Sequence, residues 1–93
     1  MKLFAKVYAV EPIQHGISEN GEWVRRTVVI ETLENDPKLI ALDAYGERRV
    51  GWLGDLTCGQ FVELTFNIEA HEHEGRWYNR VNLLTLRGYA ATC

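Results

Sequence analysis

Apolar and polar residues alternate with a period of two over five stretches of this chain. From Lys2 to Val10, Leu3, Ala5, Val7 and Ala9 face one way, and Phe4, Lys6, Tyr8 and Val10 the other. From Glu22 to Thr32, Trp23, Arg25, Thr27, Val29 and Glu31 share a face opposite Val24, Arg26, Val28 and Ile30. From Lys38 to Tyr45, Ile40, Leu42 and Ala44 fit a core, with Leu39, Ala41, Asp43 and Tyr45 outward. The fourth stretch sets Val62, Leu64, Phe66, Ile68 and Ala70 against Phe61, Glu63, Thr65, Asn67 and Glu69. Each pattern predicts a strand with one buried face. The fifth, Arg76 to about Arg87, has two competing phases: Trp77, Val81 and Leu83 against Tyr78, Leu84 and Leu86. A bulge would reconcile them.

The segments between are punctuated. Pro12 ends regular pairing, and Gly16, Ser18, Asn20 and Gly21 predict a loop of about ten residues. Glu34-Asn35-Asp36-Pro37 reads as a turn, and Glu74-Gly75 as a tight hairpin. After Gly46 the period changes. Val50, Leu53 and Leu56 recur every third residue beside Trp52, which predicts a short helix ended by Gly59.

The predicted order is therefore strand, strand, strand, helix, strand, strand, in one domain spanning residues 1–93. A closed arrangement avoids the exposed edges of a small open sheet. The expected fold class is all-β with one short helix: a five-stranded Greek-key barrel of the oligonucleotide/oligosaccharide-binding (OB) type.

Several strings recur in a fixed order: Trp23 leading into Val28-Val29-Ile30-Glu31-Thr32, Pro37-Lys38, and Tyr45-Gly46. They continue with Gly59, Val62, Leu64 and Phe66-Asn67-Ile68-Glu69, then Gly75-Arg76-Trp77-Tyr78-Asn79. With this spacing the chain resembles, up to about Leu86, a family of short bacterial OB-fold proteins related to bacterial single-stranded-DNA-binding protein. In those proteins the third strand ends in an aromatic residue followed by glycine, and the aromatic stacks on a base. The resemblance implies that role for Tyr45.

Single-strand binding needs aromatic faces for bases and a positive groove for phosphates. The candidates are Trp23 and Arg25 on the second predicted strand, Tyr45 at the end of the third with Arg48 following, and Arg76, Trp77 and Arg80 after the last hairpin. Arg49, Lys38, Lys6 and Arg26 would add charge. Each aromatic has a structural alternative: Trp77 or Tyr78 would fill or cap the interior, and Trp52 would pack the helix. Arginines would pair with Glu31, Asp43 or Glu47 at little net energy. Glu63, Glu69, Glu72 and Glu74 precede the basic run Arg76 to Arg87, which predicts charge pairing across the last two strands.

The net charge of −3 excludes a polycation that coats nucleic acid indiscriminately. His71 and His73 share a strand side, but a zinc site needs three or four ligands, so no metal or other cofactor is expected. No phosphate loop, nucleophile elbow or HExxH motif occurs, and no enzyme is expected. No apolar run is long enough to span a membrane and no signal-peptide pattern is present, so a cytoplasmic protein is expected, with Cys58 and Cys93 as free thiols. Two functions remain open. One is a single-stranded-DNA-binding module of low sequence specificity. The other is a protein-interaction or oligomerisation module built on outward Phe4, Val29, Leu39 and Phe61. A homo-oligomer, dimer or tetramer, is compatible with both, because a domain of 93 residues buries little surface alone.

Overall fold

A computed structural model describes residues 1–89. Cys93 lies outside the described residues; Cys58 is an exposed free thiol. Among the described residues six strands and one helix follow in order: β1 (Lys2–Val10), β2 (Gln14–Ser18), β3 (Gly21–Thr32), β4 (Leu39–Tyr45), α1 (Glu47–Leu53), β5 (Phe61–His73) and β6 (Arg76–Gly88). They form one six-stranded sheet in the order β1-β5-β6-β4-β3-β2, with β1 also paired to β3. The expectation of a five-stranded Greek-key OB barrel is thereby corrected. The added strand is β2, which lies where a loop was expected. Gln14-His15-Gly16-Ile17-Ser18 has no apolar alternation because both its faces are largely exposed. It is held as a strand by its antiparallel register with β3, Gln14 opposite Arg25 through Ser18 opposite Gly21.

The core collects the inward positions of five strands and α1. Ala5, Val7, Val28, Ile30, Leu42, Ala44, Val50, Leu53, Val62, Leu64, Phe66 and Leu83 are buried in one cluster. Two bulges set which residues reach it. In β1, register shifts between Val7 and Ala9, so Val10 pairs with Val28 on the inner side rather than following Tyr8 outward. In β6, it shifts opposite Thr65 and Phe66, so Leu86 and Leu83 both face the core and Leu84 is the extra residue. This bulge resolves the two competing phases of the fifth predicted strand.

The helix is shorter than its pattern: it ends at Leu53, capped by Gly54, and Gly59 instead turns the following loop with φ 86°. Gly46 carries φ 89° between β4 and α1, a conformation that disfavours any residue with a Cβ. The step after Tyr45 is thus a sharp exit that leaves Tyr45 at the strand end.

Register places Glu63 opposite Arg87 and Glu69 opposite Arg80, as charge pairing predicts, yet their close partners are others. Lys2 Nζ donates to Glu63 Oε1 at 2.5 Å, and the Tyr89 hydroxyl donates to Glu63 Oε2 at 2.7 Å. The hydrogen bond from Lys2, then that from Tyr89, holds the Glu63 carboxyl below its ordinary range. A carboxylate depressed on folding stabilises the native state above its unfolded value, and that contribution disappears as pH falls through the folded value. Thermal melts stepped from neutral to acid pH should therefore fall less steeply for Glu63→Gln than for the native chain. Equal slopes would remove Glu63 from the account.

Candidate functional site

The outer face of β3 and β4 is built from alternate residues of two strands in antiparallel register. Arg25 stands opposite Tyr45, Thr27 opposite Asp43, Val29 opposite Ala41 and Glu31 opposite Leu39. Beyond Arg25, β2 contributes Gln14 to the same row. Gln14, Arg25 and Tyr45 thus lie side by side across three strands. Arg25 Nε donates to Gln14 Oε1 at 3.0 Å, and its Nη2 donates to the same oxygen. The guanidinium carbon lies 6.0 Å from the Trp23 ring centroid, within cation–π range. A neutral amide therefore orients this arginine without cancelling its charge.

The Trp23 indole lies across Gly16, its cross-strand partner; a Cβ at Gly16 would collide with the ring. Glycine here is a matter of close approach: it lets the indole lie flat on the hairpin backbone. One face of Trp23 remains available, and the residue is 41% exposed.

Two clefts flank this row. An open cleft of about 1200 Å³ lies between the inner side of the β2–β3 hairpin and α1, with Ile13, Ile17, Val24 and Val50 among its walls and Tyr45 at its margin. A smaller one of about 380 Å³ is bounded by Tyr45, Arg48, Arg49, Trp52 and Leu84. Within it the Arg48 guanidinium carbon sits 5.6 Å from the Trp52 ring centroid, and Arg49 Nε donates to the Leu84 carbonyl at 3.3 Å. Tyr45 joins the two clefts. Trp52, a residue of α1, is partly buried and forms a platform for Arg48.

Arginine charge is largely uncompensated. Among the described residues the ion pairs involve Lys2, Lys38 and His73, and none involves an arginine. The expected pairing with Glu31, Asp43 or Glu47 does not form. Arg26 Nε instead donates to the Glu11 carbonyl at 2.7 Å, and Asp43 accepts from the Thr27 hydroxyl at 2.8 Å.

The structure brings Trp23, Arg25, Tyr45 and Arg48 together; it does not bring Arg76, Trp77 and Arg80 to them. β4 and β6 run parallel and meet at Asp43 and Asn82. Tyr45 lies on one side of that bridge, and Arg80, Trp77 and Arg76 on the other. At a rise of about 3.3 Å per residue, Arg80 is offset from Tyr45 by about 13 Å and Trp77 by about 23 Å along the strand. These three stand on a projecting arm, the distal β5–β6 hairpin, which turns through Glu74 and Gly75 with φ 51° and 79°. Trp77 is 69% exposed, so it neither fills nor caps the core. The histidines of this arm have no further ligands: among the described residues no group of three or more His, Cys, Asp or Glu side chains is placed to hold a metal.

Gln14 and Gly16 escaped the sequence reading, because residues 13–18 carry no strand period. The signal that points to them is the turn cluster Ser18, Asn20 and Gly21 directly before the Trp23 strand, where the hairpin closes through Glu19-Asn20.

The fold of this chain is similar to those of several solved single-stranded-DNA-binding proteins. The mitochondrial single-stranded DNA binding protein Rim1 of S. cerevisiae superimposes with a TM-score of 0.71 at 11% identity, over 95% of this chain and 91% of that one. A second crystal form of Rim1 gives 0.52 at 11% identity, over 95% and 91%. The small single-stranded DNA-binding protein of Streptomyces coelicolor gives 0.59 at 12% identity, over 96% and 90%. By sequence, residues 2–86 match the family described as "Domain of unknown function (DUF3127)", and the chain belongs to that family. No curated protein matches it. Among the described residues no helix is long and apolar enough to cross a membrane.

Proposed function

We propose that this protein binds single-stranded nucleic acid, DNA in the first instance, with little sequence specificity and without catalysis, on the outer face of β3 and β4. The observation that carries this reading is Arg25. It stands between an exposed tryptophan and a strand-end tyrosine, oriented by a neutral amide, with its charge left for a phosphate. Trp23 and Tyr45 serve as stacking faces, and stacking tolerates any base because every base has a π-face. Arg25 and Arg48 track the backbone. Arg80 and Arg76 extend the track along one face of the β5–β6 arm to a second contact region, with Trp77 as a stacking face on the arm's other side. Likeness to proteins that bind single-stranded DNA supports the same reading. The net charge of −3 is compatible with it because the uncompensated positive charge is local. A cytoplasmic homo-oligomer is the form in which we expect the protein to act.

Tryptophan fluorescence titrated with oligo-dT tests the reading directly, since Trp23 lies in the site. Saturable quenching is expected, with log affinity falling against log salt at a slope of about −2 to −3, the release expected from three to four phosphates on a single strand. Folded protein that shows no quenching at low salt would overturn the reading.

Exposed apolar residues favour a second reading, an interaction module. Phe4 stacks with Tyr89 at 6.4 Å between centroids, and Phe4, Phe61 and Leu39 are each about half exposed on outer strand faces. Loss of DNA binding together with retained self-association would select it.

A further inference from the structure

We infer that the open edge of β2 is a pairing surface for β2 of a second copy, which joins two chains into one continuous sheet. β2 ends the strand order, whereas β1, at the other end, is covered by β3 from Ala5 to Val10. The strand has none of the devices that blunt an edge: no lysine, no other formal charge and no proline from Gln14 to Ser18. Ile17 is 83% exposed, the most exposed large apolar residue among those described.

Hydrogen-bond phase makes the edge self-complementary. The hairpin closes through Glu19-Asn20, so Ser18 and Gly21 form the hydrogen-bonded pair beside the turn. Alternation makes Gly16 with Trp23 the next such pair, and leaves Ile17 with Glu22 and His15 with Val24 as non-bonded pairs. The N–H and C=O groups of His15 and Ile17 therefore point away from β3, to the open side. The same alternation turns the Val24 carbonyl toward β4, where it accepts from the Gly46 N–H at 3.0 Å.

A two-fold axis through Gly16 sets His15 against the partner's Ile17, and Ile17 against the partner's His15. Each of these pairs exchanges both backbone hydrogen bonds. Gly16 then faces the partner's Gly16 in a non-bonded pair, where Cα atoms approach to about 4.5 Å. Two residues without side chains suit that approach. Antiparallel pairing in this register also sets Gln14 against the partner's Ser18, so no like charges meet. The exposed edges of the β5–β6 arm differ in carrying formal charge, Glu69 and Glu72 on one strand and Arg76 and Arg80 on the other, which is a device that blunts an edge.

The dyad is perpendicular to the sheet, so both copies show Trp23, Arg25 and Tyr45 on one side. Three strand spacings of about 4.8 Å put the two β3 strands about 14 Å apart. Two single sites then become one bivalent surface. That consequence rests on the function proposed above; the pairing itself does not.

Sedimentation velocity across a concentration series, without nucleic acid, measures the association. Amide hydrogen exchange reports its place. Reversible dimerisation is expected. As concentration rises, exchange at His15 and Ile17 should slow, while Gly16, already bonded within the hairpin, stays unchanged. Ile17→Lys should raise the dimer Kd at least about tenfold, the equivalent of about 1.4 kcal/mol, with an unaltered thermal melt. Phe4→Ser should leave the dimer intact. A monomer at every concentration would overturn the inference. So would a dimer in which the His15 and Ile17 amides exchange as fast as at dilution, or one abolished by Phe4→Ser but not by Ile17→Lys. Slowed exchange only on adding a foreign extended peptide would assign the edge to that partner instead.

Discussion

Tyr45→Ala should weaken oligo-dT binding by roughly fivefold to 150-fold, the range that stacking of about 1–3 kcal/mol per base corresponds to. Trp23→Ala should do likewise, and Tyr45→Phe should retain most of the affinity, because the ring and not the hydroxyl does the stacking. The two substitutions act at neighbouring positions of one row, joined through Arg25. Their effects are therefore expected not to add. Arg25→Gln should lower affinity by a different route: loss of one phosphate partner reduces the salt slope by about 0.7. A fluorescence titration at three or more salt concentrations separates the two routes. Stacking variants shift the line, and the arginine variant changes its slope. Native affinity in Tyr45→Ala and Trp23→Ala together would remove the β3–β4 face from the proposal. Reduced affinity in Trp77→Ala alone would move the site to the β5–β6 arm.

Leu42→Ala should cost about 2–5 kcal/mol of folding stability. Leu42 is 1% exposed and lies at the inner centre of β4, opposite Val28 of β3. A buried leucine loses both its transfer energy and the contacts of the space it filled. Domains are stable by only about 5–15 kcal/mol in all, so this single change takes a large share of what holds the chain folded. Urea unfolding of the two proteins checks it: the midpoint should fall markedly at an unchanged slope. Leu39→Ala, three positions earlier but outward and about half exposed, should leave the midpoint nearly where it was. A similar loss from both would contradict the inner and outer assignment of β4.

The strands that face a core announced themselves in the sequence; the strand without one did not. Val28 and Ile30, Leu42 and Ala44, Val62, Leu64 and Phe66 alternate because one side of each strand is dry. β2 has no dry side, so Gln14, Gly16 and Ile17 carry no period, and the site lost its third strand until the structure supplied it. Bulges were legible only in part. In β6 the conflict between Leu83, Leu84 and Leu86 was visible as two phases, whereas in β1 the alternation runs unbroken through Tyr8 and gives no warning that Val10 turns inward. For the site, Trp23, Arg25 and Tyr45 could be placed on one face by counting in twos. Arg76, Trp77 and Arg80 are grouped with them only by following the last hairpin, and the sequence has no way to measure the distance between two hairpins. Tertiary register sets that distance, through the single bridge of Asp43 and Asn82.

Beyond Asn67 on β5 and before Val81 on β6 the hairpin rests on no core, and its residues are exposed on both faces. Its length is thus a free variable for evolution and for engineering. Removing two residues from each strand would keep the facing of every remaining side chain, since strand geometry repeats every second position. Reach would shorten while the folded body beneath was left untouched. Removing one from each would turn the rest of the arm over, so that Arg80 and Tyr78 changed sides. A lineage or a designer could in this way alter how much ligand the arm touches, in steps of about 7 Å, without drawing on the stability of the domain.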